Sequence, residues 1–523
     1  MRNVFYVNCA VDPWIKVAKK LQETENLKPV YWNGYSFVDN ANILVKEAFP
    51  DILFCEDADS WRGRFPKEII DRANETSIDI DFLRKFASEE LQAIKMMDRM
   101  DYDLYSLNFQ ERQRLFRNMV RSWMAAISWL KPAMIISQVM PHHVSDYVLY
   151  LLCQYYHIPY FFPEHTPFYA RFIIPCNLYT IGNIFNDDYE EALKKSDKEL
   201  LDGIPQDMLE RYNKIKEGYA NGAPTYMARE NKMSKRYSHF GGLVWHFIQY
   251  FRNLGSHQPL FGKKGMLWHG VIVYYRKDRK WIEESRFSLW KFCFMHISAG
   301  RLKKKMLKYY NTFISKADYS EPYVLFALHY QPEATSNPGG DIFVDQRLVI
   351  DMLLKNLPSE YKVYVKEHPH QFLKQRDGQT CRIKEFYEDL SKNPRIKLID
   401  INESTFNLIL HSKAVATIKG TIGWESMIYG KPVIDFGISW YETYNGVLRI
   451  MDEESAKKME KFITEFKFDE HNLLAFLYSV GIKTYRTYYS NQFNKDGLSV
   501  TEEETVSTLS EILTDYLHSY EKC

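Results

Sequence analysis

The sequence predicts an α/β protein with two doubly wound parallel-sheet domains separated by a helical, basic insertion. Three observations carry this. A strand–helix–strand unit of about 35 residues lies near 133–166, the length of a right-handed parallel crossover. Four or five further strand–helix repeats follow one another between 320 and 440. Between these regions, residues 230–308 hold 17 Lys and Arg against four acids, in a chain of net charge +1.

In the first domain, NVFYVNC (3–9) and DILFCED (51–57) read as strands. Residues 80–130 carry apolar residues at three- and four-residue spacing, a helical period. Ala133–Ser137 is a buried strand, the loop QVMPHH follows, and Asp146 begins a helix that His157-Ile158-Pro159 stops. YFFPEHT (160–166) is the next strand, and the domain ends near Gly182. In the second domain the strands are YVLFALH (323–329), YKVYVKE (361–367), IKLID (396–400), AVATIKG (414–420) and KPVIDFG (431–437). The organisation is therefore 1–183, a helical basic and aromatic insertion 184–318, 319–480, and C-terminal helices 481–523 packing back on the first domain.

Composition narrows the class. A hydrophobic fraction of 46% and a charged fraction of 26% are those of a soluble globular protein. No run of about 18 apolar residues is present, so no spanning helix is expected. Seven dispersed cysteines without a CxxC predict reduced thiols rather than a disulfide framework or a zinc site. The expected location is the cytoplasm. The basic, aromatic stretch is either a solvated face on packed helices or a surface for the anionic inner leaflet. No nucleic-acid module accompanies it.

Ligands of open α/β sheets bind outside the carboxyl ends of the strands. Three polar loops of the second domain sit there. The first contains His329, Gln331, Thr335 and Ser336, the second Lys366, Glu367, His368 and Pro369, and the third Lys419, Gly420, Thr421, Gly423 and Glu425. Gly420 and Gly423 at a helix start suit a phosphate, because the first-turn amides lack partners and the dipole is positive there. The same glycines also suit plain close packing. His368 can bind a phosphate or donate a proton, or simply bond a neighbouring carbonyl. In the first domain, Glu164 and His165, held between Pro163 and Pro167, are candidates for the base that takes a proton from an acceptor hydroxyl.

The segments FALHYQPEATSNPGGDIFVDQ, VYVKEHPHQF and ATIKGTIGWESMIYGKPVIDFG, in this order and spacing, resemble the bacterial capsule polysaccharide biosynthesis family, which includes Kdo transferases. The resemblance implies a GT-B glycosyltransferase fold, with two Rossmann-like domains facing a cleft. The acceptor would lie in the first and the nucleotide-sugar, CMP-linked in many relatives, in the second. It implies that His368 and Pro369 contact the nucleotide, that Gly420, Thr421 and Gly423 hold phosphate, and that Gln331 and Glu425 line the site. It implies no divalent metal and no other cofactor. The expected reaction moves a sugar, Kdo or a related acidic one, to a lipid-linked or polysaccharide acceptor at the inner leaflet. The alternatives are a CDP-alcohol polyol-phosphate transferase of teichoic-acid type and a non-catalytic polysaccharide-assembly partner. Lys419 stands where related enzymes often carry a Ser/Thr pair.

Overall fold

The computed structural model describes residues 1–34, 40–100, 107–218, 271–276, 279–284, 289–373, 378–490 and 498–520, with the backbone alone before 298 in the stretch from 271. Two parallel sheets organise it. The first joins β1 (Arg2–Val7), β2 (Leu27–Gly34), β3 (Leu53–Glu56), β4 (Pro132–Ser137) and β5 (Tyr160–Phe161) in the order β3-β2-β1-β4-β5. Every neighbouring pair is parallel. β2 escapes sequence reading because Pro29 interrupts its pattern. The register with β1 shifts between Val4 and Phe5, opposite that proline, so the ladder accommodates the missing N–H.

Residues 160–166 are not one strand. Pro163 lies between β5 and β6 (Glu164–His165), and β6 leaves the parallel sheet to pair antiparallel with β7 (Arg171–Ile173). β17 (Tyr485–Arg486) completes that small sheet. In the middle, β8 (Val271–Arg276) and β9 (Arg279–Glu284) form an antiparallel hairpin, so the insertion is not wholly helical.

The second sheet is parallel throughout and runs β10-β13-β12-β11-β14-β15-β16. Its strands are β10 (Ile314–Ser315), β11 (Tyr323–Ala327), β12 (Lys362–Lys366), β13 (Ile396–Ile399), β14 (Ala414–Thr417), β15 (Val433–Asp435) and β16 (Val447–Arg449). β11 and β14 are almost wholly apolar and buried, and β12 buries Val363, Tyr364 and Val365 between its two lysines, as strands covered on both faces must. Strand order reverses between β1 and β4 in one sheet and between β11 and β14 in the other. The loops leaving those four strands are thus the switch points at which such sheets bind ligands.

The chain's end returns to the first domain. Helix Glu470–Lys483 packs Phe476 on Phe185 and Tyr189. Helix Glu502–Ser519 lays Leu509, Ile512, Leu513 and Tyr516 in one apolar cluster with Trp14, Val17 and Leu21. Each leucine so buried stabilises by roughly 1.5–3 kcal/mol. Trp14 Nε1 donates to Tyr489 O (2.8 Å), which fixes the approach.

The basic stretch 230–308 falls mostly outside the described residues. Its last part belongs to helix Leu289–Tyr310, where Met306 and Tyr310 enter the second domain's core. Among the described residues no helix is long and apolar enough to cross a membrane. Cys9, Cys55, Cys153 and Cys381 are free thiols. Cys176 is disulfide-bonded, against the expectation of uniformly reduced cysteines, since spacing in sequence does not encode contacts across the fold.

Candidate active site at the meeting of two sheet edges

The carboxyl edges of the two sheets face each other, and an ion pair links them. Lys419 Nζ lies 2.8 Å from Glu164 Oε1, with the two side chains 8% and 12% exposed. Lys419 also reaches Met140 Sδ at 3.2 Å, in the loop after β4. Its backbone is left-handed (φ 60°), and Lys419 N donates to Asp435 Oδ1 (3.3 Å), a carboxylate at the end of β15. Burial pushes the Asp435 carboxyl up to about 6, and its Oδ2 has no hydrogen-bond partner.

His329 is a buried brace. Ile418 N donates to its Nε2 (3.0 Å), tying the loop after β11 to the loop after β14. Burial first, and Arg382 second, lower its pKa to about 4, so the ring is neutral and accepts this bond at neutral pH. Gln331 is engaged on both ends of its amide: Nε2 donates to Val344 O (2.7 Å), and Oε1 accepts from Arg382 Nη1 (2.8 Å). Ser336 Oγ donates to Glu333 O (3.2 Å), while Thr335 stays half-buried beside it.

Glu367 is not placed to meet a ligand. Its carboxylate, fully buried, accepts from Arg382 Nε (2.8 Å), Tyr387 Oη (2.6 Å) and His368 N (2.9 Å). Lys366 likewise turns to Glu403 O (2.7 Å) and Thr405 Oγ1 (2.6 Å), and burial lowers its pKa to about 8. His368 caps the short turn Pro369–Phe372, its Nδ1 accepting from His370 N at 3.1 Å. That is the local backbone role open to any strand-end histidine, and the residue is half-buried. Pro369 opens the turn.

The glycine turn splits into two functions. Gly420 caps helix Thr421–Ile428, and its N–H donates to Thr417 Oγ1 (3.0 Å). Gly423 N–H donates to Gly420 O (3.0 Å), so two of the amides that could meet a phosphate are already engaged. A Cβ at Gly423 would collide with Tyr441 Oη, which itself donates to Gly420 O (2.7 Å). Close packing therefore explains Gly423, and Thr421 is the exposed residue of the helix start. Replacing Gly423 with Ala should lower the unfolding free energy in urea by about 1–3 kcal/mol through overpacking. Tyr441→Phe in the same chain should return part of it, and an unchanged loss in the double variant would place the cause elsewhere.

Glu425 is buried, and its carboxyl is pushed up to about 7 by burial, against Arg211 and a Thr421 hydrogen bond. Its Oε2 has no hydrogen-bond partner. It faces Arg211 of helix Gln206–Glu217 rather than the strand-end loops. His165 is stacked on Tyr489 and bonded to its hydroxyl (2.7 Å at Nδ1), which leaves Glu164 as the member of that pair joined to the second domain. Beside the Lys419 pair, a narrow cleft is lined by Lys95, Asp98 and Arg99 from the first domain and by Gln331, Glu333 and Ser336 from the second.

Arg382, Asp435, Tyr441 and Arg99 carry no local sequence signal, because their partners are distant in the chain. The loop QVMPHH does carry one: it leaves the strand at the switch point of the first sheet.

Residues 314–475 match the family described as capsule polysaccharide biosynthesis protein. The match covers the second sheet's domain, about a third of the chain. The three strand-end loops and the glycine turn all lie inside the capsule biosynthesis domain, and Glu164 lies outside it. Among solved structures, a Thermosulfurimonas dismutans KpsC beta Kdo 2,4 transferase is 13% identical over 72% of this chain and 87% of its own, with a TM-score of 0.27. A beta Kdo 2,7 transferase from the same organism is 13% identical over 48% and 80%, with a TM-score of 0.22. The UDP-GlcNAc 2-epimerase of Methanocaldococcus jannaschii is 10% identical over 98% and 99%, with a TM-score of 0.24. No curated protein matches the chain.

Proposed function

We propose that this protein is a glycosyltransferase that moves a sugar, Kdo or a related acidic one, from a nucleotide donor to a lipid-linked or polysaccharide acceptor of the cell surface. The observation that carries the reading is the Lys419–Glu164 pair, which joins the edges of two ligand-binding sheets by opposite charges. A donor phosphate is the natural competitor for Lys419. When it takes the ammonium, Glu164 is released to accept the proton of the acceptor hydroxyl. The acceptor oxygen then bonds to the anomeric carbon as the bond from that carbon to the phosphate oxygen breaks. The departing phosphate keeps the electron pair, stabilised by Lys419 and the start of helix Thr421–Ile428; preorganised charge of this kind is usually the largest catalytic contribution. His368, just after β12, contacts the nucleotide. No divalent metal enters this scheme, a CMP-linked donor is preferred, and residues 230–308 hold the enzyme to the inner face of the cytoplasmic membrane.

Calorimetry with CMP, CDP, UDP and GDP tests the donor site. One nucleotide should bind with a dissociation constant in the micromolar to millimolar range, and His368→Ala should weaken it about tenfold or more while losing about 1 kcal/mol of stability with the cap. Binding of none of the four, or full retention by His368→Ala, would remove the nucleotide reading. Product analysis with labelled CMP-Kdo against CDP-glycerol separates sugar transfer from polyol-phosphate transfer.

A further inference from the structure

We propose that His142, His143 and Asp146 form a binding site for one borderline divalent cation, of the zinc, cobalt or nickel kind, on the first-domain side of the cleft. One ligand atom from each lies within 4.8 Å of the others. The three sit at the start of helix Val144–Tyr156 and in the loop leaving β4, at the first sheet's switch point.

The surroundings are those of ligands already oriented. His142 Nδ1 donates to Met140 O (2.8 Å), which leaves Nε2 as the lone-pair nitrogen. A backbone carbonyl holding the far nitrogen of an imidazole is the usual outer partner of a metal-binding histidine. His143 Nδ1 is buried, has no hydrogen-bond partner among the described residues, and stands 3.9 Å from Asp146 Oδ2. Asn8 Nδ2 donates to that same oxygen (2.8 Å) and sets the carboxylate's direction. Trp61 lies against the His143 ring, with centroids 3.7 Å apart, and limits its rotation. A structural histidine would have its ring nitrogen bonded, and a buried orphan nitrogen costs about 1–3 kcal/mol.

Two imidazoles with one carboxylate select borderline metals over magnesium, and three protein ligands leave a position for water or a substrate oxygen. Charge is the counter-argument. Arg99 donates to the carbonyl of His142 and repels a cation, and burial with the nearby Asp57 carboxyl favours the protonated form of Asp146, so a bound cation would have to displace that proton.

The test uses the full chain after treatment with a chelator. Zinc titrated by calorimetry should bind at one equivalent, and cobalt should develop visible d–d bands. His143→Ala and Asp146→Asn should each weaken zinc by about 100-fold or more and abolish the zinc-dependent rise in melting temperature. His411→Ala, on an exposed helix end, should change nothing. Far-UV circular dichroism checks folding, and Asp146→Asn keeps the side chain's shape if His143→Ala unfolds. The proposal is overturned if zinc and cobalt fail to bind, or if both variants bind them as the parent does.

Discussion

Replacing Lys419 with Met should lower the unfolding free energy by about 3 kcal/mol and reduce transfer by 10²–10³-fold. The stability loss comes from Glu164, left in a nearly dry position without its counter-ion. Adding Glu164→Gln removes that charge, so the double variant should regain most of the stability. Activity should stay lost, because the proposed mechanism uses Lys419 for the phosphate and Glu164 for the acceptor proton. Urea denaturation and a transfer assay on the same samples separate the two roles. Recovery of transfer together with stability would show the pair to be only a clamp between domains.

The second large effect concerns the brace behind the site. Arg382 does not line the cleft, yet it holds two strand-end loops at once. Its guanidinium donates to Glu367 Oε2, to Gln331 Oε1 and to His329 O. Arg382→Met should cost about 3–5 kcal/mol, since Glu367 remains charged with its side chain fully enclosed. The double variant with Glu367→Gln should be less damaged than the single one. Nucleotide affinity should fall in both, because the loops after β11 and β12 lose their common anchor. A cost under about 1 kcal/mol in the single variant would mean that Tyr387 Oη and His368 N satisfy Glu367 on their own.

The sheets were legible because parallel strands buried on both faces are written as short continuous apolar runs, as in VYVKE and AVATI. β2 was not, because Pro29 looks like a breaker and only the register shift against β1 accommodates it. The three strand-end loops were legible as places, but not as roles. Glu367 and His329 look the same in sequence whether they meet a ligand or each other's loops. Their function is decided by Arg382 and Ile418, which are 15 and 89 residues away. Lys419 and Glu164 were each visible as candidates. Their pairing was not, since it spans two domains and no periodicity connects them. Gly423 shows why spacing alone leaves two readings open: its lack of a side chain makes room for Tyr441, whose hydroxyl donates to Gly420 O, a contact 21 residues away in the chain.

The returning C-terminal helix has a mechanical consequence. The chain passes from the first domain to the second between residues 217 and 301, and passes back before Glu470. Because Glu502–Ser519 is anchored on the helix that bears Trp14, both crossings are tethered to the same body. The second domain is thus held to the first by the covalent chain at both of its ends, and between them by the buried cluster in which Phe168 packs on Trp424 and Trp440. Lys419 and Glu164 meet within a body that the chain has closed on itself.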